Sequence, residues 1–395
     1  MRAYFKIEFL QFMSNKKNIA IYVILLFFSC YYALKTAPEY DPIEKVDEYE
    51  IEARYLTREE FLNNVVINNW THPLTVFAAT IYPQWNEYDK KRLDAIRQHN
   101  MKEYAESTSK WYSYADEMTL KNGYLYYNPR YYTYENTYAT WDGHYAYLYS
   151  ASRYEGYTEG ESDLSINVFE ERTALQTLQR LLHSYLPLIL IVSCMFFTVD
   201  VVLKDRRNTT LLQGLPLSDW RKLLVKGGVS LLGSLLAIIP LSVGLFIIGA
   251  RNGLGDFELP VPIYLASEKL FSNITIGQYV MQNLLFIVFW FLFFISLILL
   301  VSIVIKNEFA NLLVGSVFVI AEFMYYARGI GAIRDVHWYP TSYIQTGQII
   351  AGYRNFLYST DALTFGTGLF VIGLCVCVFL FIMFLISRRR KFRLF

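Results

Sequence analysis

Glu322 stands in the run FANLLVGSVFVIAEFMYYA (309–327), with apolar residues on both sides. A carboxylate at membrane depth costs several kcal/mol, so such a residue is a candidate for work along a translocation path, facing a bundle interior or a dimer seam. The plainer alternatives place it near the outer end of its run, protonated or paired with Arg328. A second group of chemistry-bearing residues is aromatic. Twenty of the 33 tyrosines fall between 35 and 183, and alternate with polar residues in NGYLYYNPRYYTYENTYATWDGHYAYLYS (122–150). That alternation, with Asn122-Gly123 and Asp142-Gly143 as hairpin-type turns, predicts a small antiparallel sheet. Tyr126, Tyr132, Tyr134, Trp141 and Tyr145 on it are candidates to bind a peptide or sugar, against the plainer reading of good strand formers at a surface.

Other chemistry is thinly represented. The histidines (72, 99, 144, 183 and 337) are scattered, without the four-residue spacing of a metal site, so no metal is expected. Cys30, Cys194, Cys375 and Cys377 all lie in apolar runs, which leaves residues 35–183 without a disulfide framework. The sequence contains no G-x-x-x-x-G-K-[ST], no G-x-S-x-G and no H-E-x-x-H. The chain therefore has no P-loop of its own. Asn69-Trp70-Thr71 and Asn273-Ile274-Thr275 match glycosylation sequons, a pattern common by chance.

These residues need elements to hold them, and the elements are set by hydropathy. The 395 residues are 54% hydrophobic and only 18% charged, with formal net charge +1, so bulk charge gives no argument for a nucleic-acid partner. Apolar runs occupy 19–34, 184–203, 227–249, 280–305, 309–327 and 366–386. A span needs roughly 20 apolar residues. The first run is short, but Tyr31 and Tyr32 extend it into the interface. Phe28 before Ser29-Cys30 fits a lipoprotein box poorly, and the run reads as a retained span.

Lys and Arg concentrate in 1–18, 204–226 and the tail 387–395. With six spans all three lie on one side, so the positive-inside rule makes both termini cytoplasmic. The segments 35–183, 250–279 and 328–365 then face outward. The expected fold class is an α-helical polytopic membrane protein of six transmembrane helices, with an α+β extracytoplasmic domain between the first and second spans. Within that domain, 43–66 and 85–118 read as helices, and a helical pattern from about 165 runs into the second span with Pro187 as a kink. Phe5, Phe9 and Phe12 predict a helix over 1–18 lying in the membrane interface. Asp200 is placed to pair with Lys204, and Asn283 and Asn311 to bond across helices.

The loop KDRRNTTLLQGLPLSDWRKLLVKG (204–227) is polar yet carries leucines at helical spacing. Leu211, Leu212 and Leu215 line one side of a short helix led in by Arg206 and Arg207. Gly214 and Pro216 stop it, and Ser218 is a good N-cap for the next helix. A leucine ridge held at a membrane surface needs a cover, either lipid headgroups or a cytoplasmic protein.

The order of these elements resembles the permease subunit of type 2 ABC exporters. The residues that carry the likeness are Asp205, Thr209-Thr210, Leu211-Leu212, Pro216-Leu217-Ser218 and Lys226, with WYPTSYIQTGQIIAG (338–352) before the last span. Asn208 stands where that family often has glycine, and Asp205 where it has glutamate. The likeness covers the spans and short loops, about 220 residues, and leaves 35–183 outside it. It implies a coupling helix, with Arg206, Arg207, Leu211, Leu212, Leu215 and Pro216 docking on a separate ABC ATPase subunit that binds ATP and Mg. It also implies a second permease half, identical or related, and no cofactor on this chain. The substrate class expected is amphipathic: a peptide, a lipid-linked molecule or a drug. Two other classes remain open at this level. One is a membrane-anchored receptor or adhesion protein that binds ligand through its Tyr-rich domain; the other is a polytopic membrane transferase.

Overall fold

The computed structural model describes residues 1–206, 217–305, 307–327, 331–332 and 336–388. The chain divides into two compact units, Met1–Pro38 with Thr177–Arg251 and Gln278–Phe395, and Glu39–Gln176 with Asn252–Gly277.

The first unit holds the apolar helices. Helix α1 (Arg2–Met13) is followed by α2 (Lys16–Tyr31), whose first turn is capped by the Asn15 side chain accepting from the Lys17 amide at 3.1 Å. A π-helical turn, Tyr32–Thr36, closes α2. The inserted unit contributes α3 (Glu48–Asn64), α4 (Pro73–Arg97), α5 (Met101–Lys121), α6 (Ala139–Glu159) and the short α7 (Ile166–Phe169). The chain returns through α8 (Ala174–His183) into α9 (Leu186–Thr198) and a single turn, α10 (Leu203–Arg206). Next come α11 (Asp219–Leu236) and α12 (Ile238–Asn252), the hairpin β1 (Pro260–Leu265) and β2 (Leu270–Thr275), and α13 (Ile276–Val304). α14 (Glu308–Tyr325), short helical turns with α15 (Thr346–Ile350) and α16 (Tyr353–Tyr358), and α17 (Phe365–Ser387) complete the order.

Four of these stretches are long and apolar enough to cross a membrane: Lys16–Thr36, Asp219–Asn252, Ile276–Val304 and Phe365–Ser387. Ile166–His183 and Leu186–Thr198 pass the same test together, bent by 67° between them. The chain is a membrane protein on this basis. Sequence places a kink at Pro187, and the bend lies just before it, because proline suits the first turn of α9 and donates no amide back to α8. The break between α11 and α12 has the same cause. Pro240 cannot bond the Leu236 carbonyl, and its ring crowds it.

α13 is the central post of the first unit, with Phe286, Trp290, Phe291, Phe293 and Phe294 fully buried. Polar side chains fix its neighbours. Thr346 Oγ1 donates to Asn283 Oδ1 at 2.8 Å, and Trp290 Nε1 to the Tyr343 carbonyl at 3.0 Å. Asn311 Nδ2 donates to Ser302 Oγ at 2.7 Å and to the Val199 carbonyl at 3.3 Å. Asn283 and Asn311 therefore bond across elements, as a buried amide in an apolar bundle must.

The inserted unit is built of antiparallel helices, and here the sequence expectation is corrected twice. Residues 85–118 are not one helix. The chain reverses at Gln98–Asn100, where His99 takes φ +57° and Asn100 caps α5 by accepting from the Glu103 amide at 3.2 Å. Residues 122–150 are not a sheet either. They form a loop with a 3-10 turn (Pro129–Tyr131) and the first half of α6. The buried positions Gly143, Tyr147, Ser150, Ala151, Tyr154 and Tyr157 recur at helical spacing, whereas Tyr145, Tyr147 and Tyr149 only mimic alternation. Asp142 is in the first turn of the helix, its carboxylate accepting from the Thr133 amide at 2.8 Å and hydroxyl at 2.7 Å. Gly143 is required by packing, since a Cβ there would lie 2.1 Å from Tyr127 Cγ. The strands of this unit come instead from β1–β2, which pack on α6 so closely that a Cβ on Gly156 would meet Pro260 at 2.5 Å.

Candidate functional site

The loop expected to dock a partner lies mostly outside the described residues: Arg207, Leu211, Leu212, Leu215 and Pro216 are among those not described. Arg206 ends α10, its side chain also outside the description. What the structure does describe is the base from which both ends of this loop leave. On the outgoing side, Asp200 follows α9 and is held by Lys17, Nζ to Oδ1 2.5 Å, and by Asn15, Nδ2 to Oδ2 3.1 Å. This corrects the expected pairing with Lys204.

On the returning side, Ser218 occupies the N-cap position of α11 with extended backbone, and Trp220 packs edge-on against Phe384 of α17 at 5.4 Å. Two turns on, Lys226 is 1% exposed and its Nζ reaches Glu8 Oε1 at 3.0 Å and the Val201 carbonyl at 3.2 Å. An isolated ammonium would be very costly there; a carboxylate and a carbonyl together make it tolerable. The buried stripe of α1 is Tyr4, Glu8 and Phe12, so of the three phenylalanines expected at the membrane interface only Phe12 is buried. Phe5 and Phe9 stack beside that stripe, ring centroids 6.4 Å apart. Gly233 makes room for Phe12, whose ring a Cβ would meet at 2.2 Å. Glu8–Lys226 and Lys17–Asp200 thus fasten the N-terminal segment across both ends of the loop. Neither pair is legible in the sequence, because partners 218 and 183 residues apart follow no spacing rule.

Glu322 is 3% exposed near the end of α14. Its Oε1 receives Arg354 NH1 at 2.6 Å and the Tyr358 hydroxyl at 3.0 Å. The cation that neutralises it comes from α16, while Arg328 lies outside the described residues. A carboxylate with a guanidinium and a phenol has its charge answered, and the trio ties α14 to α16.

A cavity of about 920 Å³ opens in the same unit. Its walls come from α2, α8–α9, α12 and α13, and aliphatic side chains such as Leu25, Leu182, Leu190, Ile248 and Ile287 line it. Sequence reasoning missed it; the clues are the irregular positions of its wall helices.

The aromatic candidates of the inserted unit separate. Tyr126, Tyr134 and Trp141 are exposed. Tyr132 is tucked in, its hydroxyl donating to the Tyr127 carbonyl at 2.7 Å, and Tyr145 packs on Tyr264 and Phe271 at 5.5 and 5.0 Å. No shared sheet face unites the five, since two lie on α6 and three on the preceding loop. The buried tyrosines form the core with Ile81, Trp85, Trp111 and Ala115. Burial pushes the Tyr147 phenol up to about 12, and it holds Tyr112, Tyr149 and Tyr154 well above the ordinary phenol range. Beneath them Asp89, fully buried, takes Arg58 at 2.6 Å and Arg92 at 3.0 Å. These are structural ties. Among the described residues no group of His, Cys, Asp and Glu could hold a metal ion.

No family model, no curated protein and no solved structure matches this chain.

Proposed function

We propose that the chain is the permease subunit of an ATP-driven exporter of the type 2 ABC class. In this reading six helices span the membrane, both termini are cytoplasmic and the inserted unit lies outside. Loop 204–226 meets a separate ABC ATPase subunit, which binds ATP and Mg, and a second permease half completes the path for an amphipathic substrate. The observation that carries the reading is the pair of ion bridges at the base of the loop. Lys17–Asp200 and Glu8–Lys226 anchor the two ends of one short polar loop to the N-terminal segment. A loop bound only by lipid needs no such footing, whereas one that transmits force from a partner does. Movement of the loop then shifts the spans between two packings.

The test is Leu211→Asp with Leu212→Asp. The variant should lose a co-purifying ATPase while its membrane helices stay folded by circular dichroism. ATPase recovery equal to that of the unaltered chain would remove the docking role.

A further inference from the structure

We propose that the cavity walled by α2, α8–α9, α12 and α13 is a binding site for one acyl chain of a membrane lipid. Three of its walls depart from regular helix. The π-helical turn Tyr32–Thr36 closes α2, the 67° bend separates α8 from α9, and α11 breaks into α12 ahead of Pro240. π-Helical turns in particular are frequent at functional sites. Its size, about 920 Å³, lies near the top of the ~300–1,000 Å³ usual for ligand pockets.

The lining chemistry names the occupant. The three serines in the walls are already bonded. Ser29 Oγ donates to the Leu241 carbonyl at 2.8 Å and accepts from the Gly244 amide at 2.9 Å. Ser193 Oγ donates to the Ile189 carbonyl at 2.7 Å, and Ser242 Oγ to the Ile239 carbonyl at 2.8 Å. With these hydroxyls committed, the remaining ones in the lining, on Tyr31, Tyr32 and Thr36, cluster at the end of α2, so along the rest of the cavity a guest needing hydrogen bonds is poorly served and a saturated chain loses nothing on entering. The mouth lies between Ile24 and Phe28 on α2 and Ile189, Val192 and Phe196 on α9, all exposed, on helices that cross the bilayer or belong to the bent pair. Hydrocarbon is the medium there. A helix from a second copy fits less well, because close approach of two backbones needs small residues and these five are bulky.

The experiment uses the full chain in lipid nanodiscs with a phosphatidylglycerol carrying a diazirine midway along one acyl chain. After illumination, inserted label is mapped by mass spectrometry. Leu25, Leu190 and Ile248 line the cavity and are at most 4% exposed, so general bilayer contact does not reach them. They should be labelled at least as strongly as Phe246 and Leu374, which are exposed and outside the cavity. Val192→Trp should block the mouth and lower labelling of the three interior residues by about tenfold, equivalent to ~1.4 kcal/mol, with Phe246 unchanged. Ile189→Trp serves as the second variant if the first misfolds. Label confined to Phe246 and Leu374 would overturn the proposal. So would a Phe28→Cys disulfide between two copies that excludes the label. Labelling needs no ATPase, so this site stands or falls apart from the permease reading.

Discussion

Removing the Glu322 carboxylate strands the Arg354 guanidinium in an apolar interior, and the reverse substitution strands the carboxylate. Each of Glu322→Met and Arg354→Met should therefore destabilise the chain by about 3–5 kcal/mol, while the double variant should recover most of that loss. Thermal unfolding of the four proteins checks it; simple addition of the two losses would show the groups are not coupled. The functional arm is separate. Export at the normal rate by the double variant would assign the trio with Tyr358 to architecture and not to the path. The sequence exposes Glu322 because one charge among apolar neighbours is conspicuous. It hides the partners, since Tyr358 lies 36 residues on and follows no spacing rule. Lys226 is hidden differently: it belongs to a basic loop, where a lysine looks solvated.

α6 shows why element type was misread in the inserted unit. Its tyrosines fall on both faces, so they do not mark one, and the rest of the buried stripe includes Gly143, Ser150 and Ala151, which carry little hydropathy signal. Gly143 is the sharpest case. Gly143→Ala gains about 1 kcal/mol of helix propensity, but drives a methyl into Tyr127, which is buried and bonded through its hydroxyl to Asp116 at 2.8 Å. Overpacking costs ~1–3 kcal/mol, so the substitution should lower the unfolding temperature. An unchanged or raised value would mean Tyr127 can move. The same core sets the alkaline limit. Tyr147 keeps its proton up to about 12 when folded and up to roughly 10 when unfolded. Its contribution is fully present below pH 10 and is lost as pH rises from 10 to 12. Near-ultraviolet dichroism should show falling stability across that window, and a flat profile would mean the phenol is not buried. The reversal at His99 was within reach of sequence reading, because Asn100 and Glu103 have capping spacing.

For the whole molecule, hydropathy made four span-length helices and the bent pair legible, and the bend before Pro187 was signalled by the proline itself. Orientation has a direct check. Tyr49→Cys, on α3 at 84% exposure, should react with an impermeant thiol reagent on intact cells lacking other reactive cysteines. Arg388→Cys should react only after the membrane is opened. The opposite pattern would invert the topology. The bridge from Glu8 to Lys226 also has a consequence in time. The acid is made 218 residues before its base, so at about 5–20 residues per second the nascent chain holds it unmatched for on the order of ten to forty seconds. Throughout that interval α1 lacks its buried partner, and its final docking awaits α11. The earliest segment of this protein is therefore seated only after more than half of the chain has been made.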